Sequence, residues 1–390
     1  MSEVRTPAVR HDTTVLVIEG APPNPTASAG ERASLDLMLA LRERGNAVVF
    51  HGIGRAGPGD DALYDLLDEA GIAVTASRGG GIEGIAAALD ATRPAVVIVQ
   101  RPGPALAAIT ALQAHPEIQR IYWGHDIHAW RLAAQNRVRD EPADHQERLT
   151  VLAERRAWAA YDVCVYPAAR EAAFINAEVP NDRAIAIPYF RLDAHDLAEP
   201  APHHGRRGAL MVGGAFHAPN RDAVEFAVAE IVPLLADVPF TVVGAWPADL
   251  IQALKRPGVE FTGAVSDQRL LQLQQQHLCL LAPLRFGAGT RRKLVAAMGL
   301  GLPVVTTAEG VRGLLVDDAT AADGVLIADT AESLAHHVNR LAADAQFWTW
   351  HSQVGAERVT QTYRTSAYDA GIEQVLQVGA ARRDERLRRS

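Results

Sequence analysis

The chain has 390 residues, 48% of them hydrophobic and 22% charged, with a formal net charge of −8. That length suits two domains better than a single core, and the composition is that of an ordinary globular protein rather than a fibrous or unfolded one. The acidic balance argues against nonspecific nucleic-acid binding, so basic residues that matter must act locally.

The first fourteen residues, MSEVRTPAVRHDTT, lack an apolar signal region, and no run reaches the ~18 consecutive apolar residues of a spanning helix. A cytoplasmic protein without membrane association is therefore expected. Cys164 and Cys279 lie in apolar, strand-like runs and read as core thiols in a reducing compartment.

The first strand is read at TVLVIEG. A loop rich in proline and small residues follows, from Pro22 to Gly30, and then a helix with Leu35, Met38, Leu39 and Leu41 on its apolar side and Gly45 as its stop. AVVFHGI is the second strand of a βαβ unit, and in such sheets ligands sit beyond the carboxyl ends of the strands. The alternation continues through a helix from Asp60, a strand near IAVTA, a glycine-rich loop, a helix over Ile82 to Leu89 and the strand AVVIVQ, at whose end Arg101 emerges. QRIYW then leads into GHDIHAWR, where His125, Asp126, His128 and Arg131 fall within seven residues. A cluster of this kind at a strand's carboxyl end suggests acid–base or substrate-binding roles, and HxxxH metal spacing is absent.

Glu141 to Ala160 reads as a charged helix with a solvated face, YDVCVYP as a strand, EAAFINA as a helix and RAIAIPYF as a closing strand. No periodicity survives between about Arg191 and Gly208, which is taken as the linker. Three units are expected: residues 1–190, residues 208–365, and residues 366–390 as a helix with an unstructured basic tail, ARRDERLRRS.

The second half repeats the theme. ALMVGG is a strand ending in Gly213 and Gly214, Asp222 and Glu225 resemble a capping box for the next helix, and FTVVGA and VEFTGAV are strands. The stretch LCLLAPLRFGAGTRRKLVAAMGLGLPVVTT reads as strand, glycine turn, helix and strand, with Thr290 as the expected helix cap. Gly287 and Gly289 present bare amide groups, while Arg291, Arg292 and Lys293 crowd the helix's first turn, where each cation opposes the helix dipole by roughly 0.3–1 kcal/mol. A bound phosphate would turn that arrangement favourable.

The segments MVGGAFHAPNRDAVEF, VVGAWP, VEFTGAVSD and APLRFGAGTRRKLVAAMGLGLPVVTTAEGVRGL resemble, in order, the glycosyltransferases of family 4. The PTASAGER loop and YWGHDIHAWR add a weaker likeness in the first half. The resemblance implies an α/β protein of the GT-B fold, with two Rossmann-like domains, an interdomain cleft and a helical C-terminus. It implies transfer of a sugar from a nucleotide-diphosphate donor to an acceptor small molecule or glycan, with retention and without metal or other cofactor. It places the donor at Gly213, Gly214, His217, Gly244 and Val265, at the loop Arg285, Phe286, Gly287, Ala288, Gly289 and Thr290, and at Arg291 and Lys293. His125 and Asp126 fall nearest the reacting carbon. Gly30, Arg101, His128 and Arg131 are read on the acceptor side.

The chain also departs from the family's pattern. Gly214 and Asn220 stand where many members carry cations, Arg312 stands where a glutamate is often seen, and Ala288 and Ala296 replace two glutamates that bind sugar and ribose. Those alanines favour a non-catalytic GT-B protein that binds a nucleotide or a partner; a GT-B nucleotide-sugar epimerase is a further alternative.

Overall fold

The computed structural model describes residues 13–25, 28–54, 57, 59–76, 81–180, 182–192, 197 and 202–389. The start of the chain, positions 26 and 27 of the proline loop, the glycine-rich loop at 77–80 and most of the expected linker lie outside the described residues.

The first sheet contains β1 (Thr14–Glu19), β2 (Ala47–Gly52), β3 (Ala73–Val74), β4 (Val96–Gln100), β5 (Gln119–Trp123), β6 (Val163–Tyr166) and β7 (Ala184–Ala186), all parallel, in the order β3-β2-β1-β4-β5-β6-β7. The second contains β8 (Ala209–Val212), β9 (Phe240–Val243), β10 (Val259–Gly263), β11 (Cys279–Ala282), β12 (Val304–Thr306) and β13 (Val325–Ile327), also parallel, in the order β10-β9-β8-β11-β12-β13. Each order reverses direction once, between β1 and β4 and between β8 and β11, and ligands favour the crevice at such reversals.

Strand composition follows from this layering. Helices cover both faces of a parallel sheet, so its strands are apolar without alternation. In β1, Val15 and Val17 enter one core while Leu16 and Ile18 enter the other. The first of these cores continues through Ile187, Tyr189 and Phe190 to Tyr363, Tyr368 and Ile372, so residues on both sides of the linker share one apolar cluster.

Three local expectations are corrected. The helix with the expected capping box runs Ala218–Phe226 with His217 at its N-cap, and Asp222 instead pairs with Arg285, 2.9 Å from Nε. The helix expected from Glu141 begins at His145, and its Glu154, read as solvated, is fully buried. The basic tail is ordered, because one helix, Thr365–Arg389, runs through it.

That last helix returns to the first sheet and packs against β5 and β6. Gln119 Nε2 donates to Leu376 O at 3.0 Å, and a Cβ on Gly379 would collide with the same amide at 2.2 Å. Arg386 then grips the buried carboxylate of Asp162 with two nitrogens, at 2.8 and 2.9 Å, and donates to Pro116 O and Ile118 O. A bidentate pair on a buried carboxylate fixes the helix's register. Arg386→Ala is expected to lower folding stability by about 1.5 kcal/mol, the loss of a charged hydrogen-bonded partner. An unchanged urea midpoint for this variant would show that the tail is not docked.

Candidate functional site

On the first sheet, the ends of β1, β4 and β5 meet in a polar knot. Gln100 Oε1 accepts from Ser34 Oγ at 2.6 Å and lies 2.8 Å from His125 Nε2. That contact makes Nε2 the donor and leaves the Nδ1 lone pair, which is buried and without a partner. Burial, with Arg101 nearby, pushes His125 down to about 3, so the ring is neutral. Arg101 sits at φ +67, a conformation that few side chains adopt. It reaches back to Glu19 at 2.9 Å and Glu31 at 3.2 Å. Gly30 lies over this knot, and a Cβ there would stand 3.5 Å from both Arg101 Nη2 and His125 Nδ1.

Asp126 behaves in the opposite way. It is buried, but His128 Nε2 at 2.9 Å and Arg131 Nη1 at 3.3 Å hold its charge. Desolvation opposes ionisation, yet these partners together outweigh it and keep the carboxyl well below the usual range. Both come from the helix His128–Val138, whose first amides, His128 N and Ala129 N, donate to Glu154 at 2.8 and 3.1 Å. Burial raises Glu154 to about 7 despite those bonds.

On the second sheet, β8 is followed by Gly213, whose φ of +150 and contact with Asn220 leave no room for a side chain. Gly244 at the end of β9 is pressed just as tightly against Gly213. Lys293 reaches this point from the helix Arg292–Gly299, where its ammonium donates to Val212 O at 3.0 Å and to Asn220 Oδ1. Both acceptors are neutral. Among the described residues no carboxylate lies within ion-pair distance of Lys293, and burial, reinforced by Arg291, pulls it down to about 7. His217 is also lowered, first by burial and then by Lys293 and Arg131. His217, Lys293, Arg131 and Asp126 therefore feel one another across the gap between the sheets.

The glycine loop differs from its sequence reading. Thr290 does not cap the following helix: its hydroxyl donates to Gly313 O at 2.8 Å, and Arg291 is the N-cap, with no side-chain bond to the helix amides. Nor does Arg291 reach outward. Its guanidinium is almost wholly buried, pairs with Glu309 at 2.9 Å and donates to Gly289 O and Arg312 O. Arg312 pairs with the same glutamate. Arg285 is half-exposed in its ion pair with Asp222, Phe286 is buried, and Val265 packs partly buried against the core.

The two halves touch at this loop. Gly289, at φ +68, faces the other domain so closely that a Cβ would lie 2.8 Å from His125 O and 3.2 Å from Asp126 Cβ. Glu171 seals the contact, because one carboxyl oxygen accepts from Ile127 N at 3.2 Å and from Gly289 N at 3.3 Å. Its other oxygen is buried without a partner. Desolvation and the nearby Asp126 raise Glu171 to about 8. Close by, Ala169 N donates to the carbonyl of Val316 at 2.9 Å, and Val316 is a β-branched residue held at φ +73. Glu171 and Glu154 were missed in the sequence because each looks like an ordinary charge on a helix.

The structure thus gathers His125, Asp126, His128, Arg131, His217, Gly289 and Lys293 about one crevice, with Gly30 and Arg101 behind. It leaves Arg285, Phe286 and Val265 outside that group. Among the described residues no cluster of three His, Cys, Asp or Glu side chains could hold a metal ion, and no helix is long and apolar enough to cross a membrane.

Residues 206–344 match the family described as Glycosyl transferases group 1, so the second half of the chain carries a glycosyltransferase domain. No curated protein sequence matches the chain. Among solved structures, the chain is similar to a sucrose-phosphate synthase from Thermosynechococcus elongatus, at 15% identity and a TM-score of 0.72, covering 94% of this chain and 98% of that one. It is also similar to HepE from Anabaena, solved with UDP and glucose, at 13% identity and a TM-score of 0.71, covering 94% and 99%. A glycosyltransferase from Rickettsia africae matches at 12% identity and a TM-score of 0.68, covering 94% and 98%. The fold is GT-B: two parallel-sheet α/β domains with a helical C-terminus.

Glu171 gives the site a measurable pH signature. The folded protein holds its proton to about pH 8 and the unfolded chain only to about 4.5, so its contribution to stability falls as pH rises through that window. Glu171→Gln should lose less stability than the parent between pH 6 and 8.5 in urea titrations. Equal losses in the two proteins would contradict the assignment.

Proposed function

We propose that the protein is a retaining glycosyltransferase of family 4, which moves a sugar from a nucleotide-diphosphate donor to the hydroxyl or amine of a small molecule or glycan. The observation that carries this reading is the buried Lys293 ammonium, which is turned toward neutral oxygens and has no carboxylate partner among the described residues. A buried cation without a counter-ion is costly, and an anion repays it. The supporting geometry is the pair of helices Ala218–Phe226 and Arg292–Gly299, whose N-termini lack side-chain caps and rise beside it. That the HepE structure contains UDP supports a uridine nucleotide as the first ligand to test.

In this reading the bond from the sugar's anomeric carbon to the diphosphate breaks as the acceptor oxygen or nitrogen closes on the same face, and the acceptor's proton passes to the departing diphosphate oxygen. The larger burden is charge on the departing diphosphate, and fixed amides, Lys293 and His217 act on it. Asp126, held ionised by His128 and Arg131, stabilises the positive charge that grows at the anomeric carbon. The neutral ring of His125 offers its free Nδ1 as a hydrogen-bond acceptor. No cofactor is required, and the buried free thiols of Cys164 and Cys279 fit a cytoplasmic setting.

A second reading, nucleotide binding without turnover, is favoured by one fact: Arg291 is already consumed by Glu309. Release of free nucleotide from a nucleotide sugar in the presence of candidate acceptors excludes it, and binding without release supports it.

Lys293→Met is the direct test. Losing a charge-assisted bond of about 1.5–3 kcal/mol should weaken UDP binding roughly tenfold to a hundredfold. Stability should not fall, because at pH 7–10 the parent's buried lysine is the group that resists folding, and its cost lessens as pH rises. UDP binding in the parent should also take up protons above pH 7, measurable by calorimetry in buffers of different ionisation enthalpy. Unaltered UDP affinity in the variant would remove Lys293 from the site.

A further inference from the structure

The helix His128–Val138 has two working faces. His128 and Arg131 turn toward Asp126. Trp130, Ala134 and Arg137, spaced by four and then three residues, line a cavity of about 210 Å³ together with the Gly287–Gly289 loop. Arg170, Glu171, Arg291 and Arg312 complete its polar wall, while Lys293, His217 and His125 take no part in it. Gly289 is common to this second compartment and to the crevice about His125 and Asp126.

Charge in this second compartment is unbalanced. Arg291 and Arg312 share the single carboxylate of Glu309. Arg137 and Arg170 have no carboxylate partner among the described residues, and Arg170 rests instead over the Trp130 ring at 4.9 Å. Glu171, held protonated to about pH 8, supplies no compensating charge at neutral pH, and its second oxygen is buried and without a partner. Four guanidinium groups therefore share one carboxylate partner, Glu309, around an indole ring. Guanidinium forks suit phosphate and carboxylate, and the indole offers a flat apolar face.

We propose that this cavity is the acceptor subsite and takes a sugar or polyol bearing an anionic group, whose phosphate or carboxylate meets Arg137 and Arg170. The assignment rests on the transferase reading above and adds the chemical class of the acceptor to it.

The test measures binding of glucose 6-phosphate, glucuronate and neutral glucose to the full chain by calorimetry, with and without saturating UDP. At least one anionic probe should bind tenfold or more tightly than glucose, with its affinity undiminished by UDP. Which of the two does so distinguishes phosphate from carboxylate. The Arg137→Met, Arg170→Met double variant should lose that preference by tenfold or more while keeping the parent's UDP affinity. The exposed single variant Arg137→Glu should weaken the anionic probe in the same direction. Equal binding of glucose, displacement of the anionic probe by UDP, unchanged binding in both variants, or no binding of any probe would each overturn the proposal while leaving the transferase reading intact. Failure of UDP itself to bind the parent would overturn the transferase reading, and this one with it.

Discussion

The contact between Gly289 and the His125–Asp126 segment is the constraint on which the rest of the site depends. Two backbones from different domains meet at a distance that excludes even a methyl group, and one carboxyl oxygen bonds an amide from each side. Glycine is required there twice, by its left-handed φ and by the space it leaves. Everything else in the crevice is placed relative to this seam: the glycine loop and Lys293 on one side, the acidic and imidazole groups of the first domain on the other.

Electrostatics at the seam show how burial alone does not decide protonation. Asp126, Glu171 and Lys293 are all removed from water, yet Asp126 stays charged because His128 and Arg131 both bond it, whereas Glu171 receives only amides and faces a like charge. Lys293 has only neutral acceptors. The result is an ionised carboxylate, a protonated one and a titrating ammonium about one loop, each assigned by its partners. A chain of net charge −8 thus keeps, at Lys293, a buried amine with no carboxylate partner among the described residues.

The alternation of strands and helices was legible because strands covered on both faces must be unbroken runs of valine, isoleucine and leucine, and TVLVIE, VVIVQ and CLLA are such runs. The glycine turn and the GHDIHAWR cluster were legible as local patterns, and the fold places them against one another. What escaped depended on distance along the chain. Glu171 and Gly289 are 118 residues apart, so nothing local marks the glutamate as a bridge. Thr290 had the chemistry of a cap but found a carbonyl at Gly313 instead, and Arg291 found Glu309. The basic tail looked solvated because its key partner, Asp162, is a buried acid that composition alone cannot identify.

The return of the last helix onto β5 and β6 has a consequence for biosynthesis. Domains usually fold in the order in which they leave the ribosome, but here β5 and β6 of the first sheet wait for the helix Thr365–Arg389, made after both sheets, to cover them. The early-made half therefore emerges with an apolar flank open to water, and with Asp162 lacking its Arg386 partner, until that helix has been made. Synthesis of that helix, rather than of either sheet, is the event that closes this flank.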